Sequence, residues 1–239
     1  MPTHEDSHLA GAILRTIAYG DIFHYPLTLP EISRYLIGQS ASQQQIEETL
    51  CDLIMVEKIT QIEAYYCLAG RETSILIRQR RAASAQHLWP QAIKYGQMIG
   101  KLPFVRMVGI TGSLAVDNVD EDGDIDYMIV TEPGHLWTAR MMIIGLVKWA
   151  KKQQGVVLCP NYLVSENALF IEKQNLFTAR EIVQMIPVSG IETYQRFRDL
   201  NLWTETYFPN ATQQPSQPTI DYTSQTPGIS TRMTETVLR

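Results

Sequence analysis

The chain has 239 residues, 45% of them hydrophobic and 19% charged, with a net charge of −5. That is enough for one large domain or two smaller ones with a real core, and the acidic balance argues against a protein coated for nucleic acid. The three cysteines, Cys51, Cys67 and Cys159, are odd in number and far apart, and the five histidines form no ligand cluster. Neither a disulfide framework nor a zinc site is expected, and the pattern fits a reducing compartment. The most apolar segment, Met141–Val147, is followed by Lys148 and is too short to span a bilayer. No signal peptide precedes the first helix, so the expectation is a soluble cytoplasmic protein with no membrane partner.

Residues 1–7 are polar and read as loose. From His8, apolar residues Leu9, Ile13, Leu14 and Ile17 recur at helical spacing. Thr28 and Glu31 form a capping box that opens a second helix, with Ile32 and Leu36 inward and Gly38 as its stop. Ser42 and Gln45 repeat the box for a third helix reaching about Val56, with Ile46, Leu50 and Leu53 on one stripe. Lys58–Leu68 alternates and predicts two short strands turning near Glu63-Ala64.

Three helices and a two-stranded ribbon resemble a winged helix over about residues 8–70, on element order alone. The resemblance implies DNA binding through the third helix. That helix carries Gln43, Gln44, Gln45, Glu47, Glu48 and Asp52 and no Lys or Arg, which suits phosphate contacts poorly. A packing or protein-binding role is therefore favoured, with DNA binding as the alternative.

Thr73–Gly100 is a long helical stretch in which Pro90 is expected to open a second helix. Arg71, Arg78, Arg80, Arg81, Lys94, Lys101 and Arg106 make this the one basic region of an acidic chain, against Glu72 alone. It reads either as a solvated helix face or as a surface guiding phosphates toward the motif that follows.

That motif organises the chain. An apolar run, Val105–Ile110, ends at Gly112-Ser113, and about ten residues later Asp124-Ile125-Asp126 leads into a second run, Tyr127–Val130. Both runs read as buried strands. Side chains alternate along a strand, so Asp124 and Asp126 share a face. Two adjacent carboxylates repel unless a cation lies between them, and a divalent metal with oxygen ligands is the usual answer. The alternative is a solvated acidic loop (Asp117, Asp120, Glu121, Asp122) that runs on into a strand.

Gly-Ser at the end of one strand and Asp-x-Asp on the next resemble the signature of the polymerase-beta-type nucleotidyltransferases, closely over Val105–Thr131 and loosely to Pro209. The resemblance implies an α+β protein, in which a small mixed sheet flanked by helices follows the mostly helical winged-helix-like domain. It implies metal-dependent transfer of a nucleoside monophosphate from a nucleoside triphosphate to an acceptor, with release of pyrophosphate. Asp124 and Asp126 would hold Mg2+, Gly112 would let the backbone approach the phosphates, and Ser113 would bind a phosphate through its N–H and hydroxyl at the start of a short helix. ATP is the first expectation for the nucleotide. The acceptor could be a small molecule, a protein hydroxyl or an RNA end.

After Pro133-Gly134 a helix is expected over about His135–Gln153, stopped by Gly155, and then a strand split by Pro160 with its main part at Asn161–Ser165. The family usually places a third carboxylate on this strand. Here it offers Asn161, an amide that can ligate a metal but cannot act as a base, with Glu166 and Glu172 as nearby candidates. Thr178–Glu181 reads as a capping box for a short helix ending near Pro187. A last helix is expected through Tyr194, Phe197, Trp203 and Tyr207. The expected domains are 1–70 (winged-helix-like), 71–103 (connecting helices), 104–209 (nucleotidyltransferase) and 210–239 (a disordered polar tail). Two further readings compete with the enzyme: a degenerate nucleotide-binding regulator, and an antitoxin-like protein that binds a partner.

Overall fold

The computed structural model describes residues 4–215 and is an α+β protein. In chain order its elements are α1 (His4–Asp21), β1 (Leu27–Thr28), α2 (Leu29–Arg34), α3 (Gln43–Met55), β2 (Ile59–Ile62), β3 (Tyr65–Leu68), α4 (Thr73–Gly100), β4 (Val105–Ile110), β5 (Ile125–Thr131), α5 (Leu136–Gln154), β6 (Leu158–Ser165), α6 (Leu176–Gln184), β7 (Ile186–Ser189) and α7 (Ile191–Leu200). The chain forms two compact units. One gathers the chain up to Ala83 with Gln174–Val183 and Trp203–Gln214, and the other gathers Ser84–Lys173 and Gln184–Leu202. No helix among the described residues is long and apolar enough to cross a membrane.

In the first unit, Leu9, Ala12, Ile13 and Ile17 of α1 are buried, as are Ile32, Leu36, Ile46, Leu50 and Leu53. Helix α1 starts ahead of its apolar periodicity, at His4 rather than His8. Both capping boxes form: Thr28 with Glu31, and Ser42 with Gln45, each satisfying helix-end N–H groups that have no partner within the helix. The three strands pair antiparallel in the order β1-β3-β2. Ile62 pairs with Tyr65, which leaves Glu63-Ala64 as a two-residue loop with Glu63 at φ 53°. The outer face of α3 carries exposed Glu47, Glu48 and Asp52.

The basic stretch is largely used within the structure. Arg71 pairs with Asp21 at 2.8 Å, and Arg81 donates to the Phe23 carbonyl at 3.0 Å. Arg78 is buried, 3.1 Å from Glu31 and with its guanidinium 4.5 Å from the centre of the Tyr25 ring. Helix α6 begins ahead of the expected Thr178 box, because Asn175 Oδ1 accepts from the Thr178 N–H at 2.9 Å and caps the helix three residues earlier than expected. The polar tail expected from residue 210 starts with packed residues. Ala211 is buried beside Tyr35, Ala179, Val183 and Phe208, and Asn210 Nδ2 donates to the carbonyls of Ser33 and Ala41 at 2.8 and 2.9 Å. The tail from residue 216 onward lies outside the described residues.

The second unit is built on a mixed sheet in the order β6-β5-β4-β7, with β5 and β6 parallel and the other pairs antiparallel. Helix α5 makes the crossover that a parallel pair requires. Its stop at Gly155 is in the left-handed region, φ 69°. One core cluster joins Ala85, Trp89, Tyr95 and Ile99 of α4 to Val108, Ile110, Tyr127, Ile129, Ile143 and Val188. Pro90 lies inside α4 and does not divide it. Gln86 and Pro90 are both exposed, so the carbonyl that loses its helical partner is open to water. Strand β7, read from sequence as the end of a helix, is fully buried. Its Pro187 is tolerated because β7 is an edge strand.

Candidate functional site

The site lies where β4 ends and β5 begins. The Thr111 N–H donates to the Asp126 carbonyl at 3.0 Å, so the ladder continues one step beyond β4 and holds the next residue against β5. That residue, Gly112, has φ +66°, and a Cβ there would lie 2.3 Å from Asp126 Oδ2. Only glycine fits, on both counts. The sequence reading assigned Gly112 to phosphate approach; in the structure its missing Cβ also leaves room for the Asp126 carboxylate.

Asp124 stands just before β5 and Asp126 is its second residue. Ile125 and Tyr127, which alternate with them, are fully buried, so both carboxylates project from the other face and are half-buried. Among the described residues neither one forms an ion pair. Burial, followed by repulsion from Asp124, raises the Asp126 pKa above the ordinary carboxylate value, and a hydrogen bond from Cys159 opposes the rise.

Cys159 is the residue that pairing brings to them. Asp126 pairs with Cys159 and Met128 with Tyr162, so Pro160-Asn161 opposes Tyr127 alone as a bulge. One ligand atom from each of Asp124, Asp126 and Cys159 lies within 4.8 Å of the others. Burial and the two neighbouring carboxylates push the thiol pKa up to about 11. Asn161, expected opposite the aspartates, is exposed in the bulge, and the position facing them belongs to Cys159. Of the other candidates, Glu166 follows the far end of β6 and pairs with Arg196 at 3.1 Å, roughly 20 Å along the strand from Cys159 at 3.3 Å per residue. Glu172 is exposed in the loop beyond it.

The turn after Gly112 is held firmly. The Ser113 carbonyl accepts from the Asn118 N–H at 2.9 Å, and Asp117, at φ 53°, accepts from the Trp89 indole N–H at 2.6 Å. Buried Gln184 donates to the Gly112 carbonyl at 3.3 Å. Neither Trp89 nor Gln184 was marked by any pattern near the motif. The short helix expected after Ser113 is a single 3-10 turn, Leu114–Val116, too short for a helix dipole to matter. Ser113 itself is exposed and offers its hydroxyl to solvent.

No family model matches the chain, and no curated protein matches it. A solved structure similar to part of it is a crystal structure of a toxin-antitoxin with AMP-PNP, at 10% identity and a TM-score of 0.29. The match covers 47% of this chain and 87% of that one. A likeness so distant says nothing of what this chain binds.

Proposed function

We propose that the chain is a divalent-metal-dependent nucleotidyltransferase of the polymerase-beta type, which moves a nucleoside monophosphate from a nucleoside triphosphate, ATP first, to an acceptor with release of pyrophosphate. The observation that carries this reading is Gly112 against Asp126. A glycine turn ends one buried strand, and its missing Cβ makes the space into which the carboxylate of the next strand projects. A solvated acidic loop would need no such fit.

Asp124 and Asp126 would hold the cation through carboxylate oxygens. They suit this role because they converge without any ion pair among the described residues. When bound, a divalent ion supplies Lewis-acid polarisation of a phosphoryl oxygen and offsets charge on the leaving pyrophosphate. The chain's own contribution is positioning. Ser113 offers an exposed hydroxyl to a phosphate, and Trp89 and Gln184 keep the turn that presents it from drifting. Residue 161 is not placed to serve as base, and a thiol takes the position opposite Asp126.

The helices and three-stranded antiparallel sheet of the first unit support a winged-helix reading. The acidic outer face of α3 favours a protein partner over DNA. Cys159 in place of a carboxylate favours one alternative specifically, a nucleotide-binding regulator that does not transfer. Incubation with each triphosphate and a divalent ion, followed by measurement of pyrophosphate, tests the proposal. Transfer predicts pyrophosphate release that Asp124→Asn abolishes, whereas nucleotide binding without release would support the regulator.

A further inference from the structure

We infer that Cys159 is the third protein ligand of the cation held by Asp124 and Asp126, and that the site therefore takes a thiophilic divalent ion of the zinc and cobalt class in preference to magnesium. This rests on the reading that the two aspartates hold a cation, and it departs from the expectations of Mg2+ and of no zinc site. Sequence spacing hides the set, because its third member comes from a different strand.

The geometry is specific. Parallel pairing puts Cys159 directly across from Asp126, so their side chains share a face. Pro160-Asn161 absorbs the register slip immediately afterwards. The three ligand atoms lie within 4.8 Å of one another, a spread that one ion can close with small side-chain rotations. The Cys159 sulfur and one oxygen of each carboxylate thus converge on the place where an ion would sit.

Donor chemistry then decides between ions. Magnesium demands a near-octahedral set of oxygens. Thiolate ligands select softer ions, and zinc accepts a mixed sulfur and oxygen set. Three protein ligands leave a fourth tetrahedral position, the arrangement of catalytic rather than structural zinc sites. That position would take water or a phosphoryl oxygen. Binding exchanges the thiol proton for the metal, and the proton leaves to buffer. No oxidant or reductant is involved.

The test is optical titration of the full chain with Co2+ in a Cys51→Ser background, which removes the exposed thiol. The expected result is a thiolate-to-cobalt charge-transfer band together with the visible bands of four-coordinate cobalt. Zinc should displace the band, and a large excess of magnesium should not. Cys159→Ser should abolish the band and weaken zinc binding by more than the ~10–100-fold that loss of an outer-sphere partner costs. Cys159→Asp should shift the preference toward magnesium. A cobalt spectrum of oxygen ligation only, unchanged by Cys159→Ser, would overturn the inference and leave the aspartate site standing. Failure of magnesium, manganese, cobalt and zinc alike to bind in a way that Asp124→Asn disrupts would overturn both.

Discussion

Asp126 and Cys159 face each other across the parallel pairing of β5 and β6, and that pairing slips by one residue immediately beyond them. The slip determines which residue of β6 joins the carboxylates. An unbulged count along the strand from its C-terminal end sets Pro160 opposite Asp126, whereas the bulge at Pro160-Asn161 delivers Cys159. Proline in the strand announced a bulge or an edge, and β6 is both.

Gly112→Ala is expected to destabilise the protein by about 1–3 kcal/mol, through strain at positive φ and through the clash with Asp126 Oδ2. Adding Asp126→Ala removes the clashing group, so the double variant should be more stable than the sum of the two single losses. Urea unfolding of all four proteins gives the coupling energy. Strict additivity would mean that the two residues do not press on each other.

Trp89→Phe removes the indole donor to Asp117 while keeping the ring in the core. A hydrogen bond to a charged group contributes about 1.5–3 kcal/mol, so a loss in that range is expected. Hydrogen exchange should quicken in residues 113–118 and stay unchanged in β5. Unaltered exchange in the turn would show that Trp89 does not restrain it.

Arg78→Met should cost about 3 kcal/mol, at the lower end for breaking a buried pair, because Glu31 stays partly buried with its charge. Glu31 also accepts from the Tyr25 hydroxyl and closes the capping box of α2. Adding Glu31→Gln should recover part of that loss. Thermal or urea unfolding measures both, and no recovery would mean that the stranded carboxylate is not the cause.

Cys51 is exposed and Cys67 is buried. Burial, with Glu72 and Asp21 as lesser causes, pushes the Cys67 thiol up to about 11. An unfolded cysteine ionises near about 8.5. Between there and about 11 the folded state keeps a proton that the unfolded chain has lost, so the Cys67 contribution to stability is intact below the window and is lost as pH rises through it. Iodoacetamide at pH 8 should label Cys51 quickly and leave Cys67 unmodified, as read by peptide mass. Equal labelling of the two would contradict the burial of Cys67.

Local chemistry was the legible part of the sequence. Thr28 with Glu31 and Ser42 with Gln45 announce helix starts because the reciprocal hydrogen bonds need only those residues at that spacing. Val105–Ile110 and the run after Asp126 read as strands because a central strand buried on both faces is continuously apolar. Tertiary partners account for what was missed. Thr178 looks like a cap until Asn175, three residues earlier, takes its N–H. Pro90 looks like a helix boundary until its freed carbonyl proves to be solvated. Ile186–Ser189 is too short and too proline-marked to read as a strand, and β4 alone makes it one. Arg71, Arg78 and Arg81 looked like a charged surface, but their counter-charges and acceptors lie some 50 residues away in sequence. Trp89, Gln184 and Cys159 reach the motif through folding only, from α4, the end of α6 and a neighbouring strand.

The most direct measurement is thermal unfolding with ATP, GTP, CTP and UTP, each with and without magnesium, manganese or zinc. It is made on the natural protein and on the Asp124→Asn/Asp126→Asn double variant. A ligand at 100 times its dissociation constant adds about 2.7 kcal/mol, which for a chain of this size is roughly 5–10 °C. The account predicts a shift of that order with one triphosphate, dependent on the divalent ion and abolished in the double variant. Stability unmoved by every triphosphate and ion, or moved equally in both proteins, would contradict a metal-dependent nucleotide site at these aspartates.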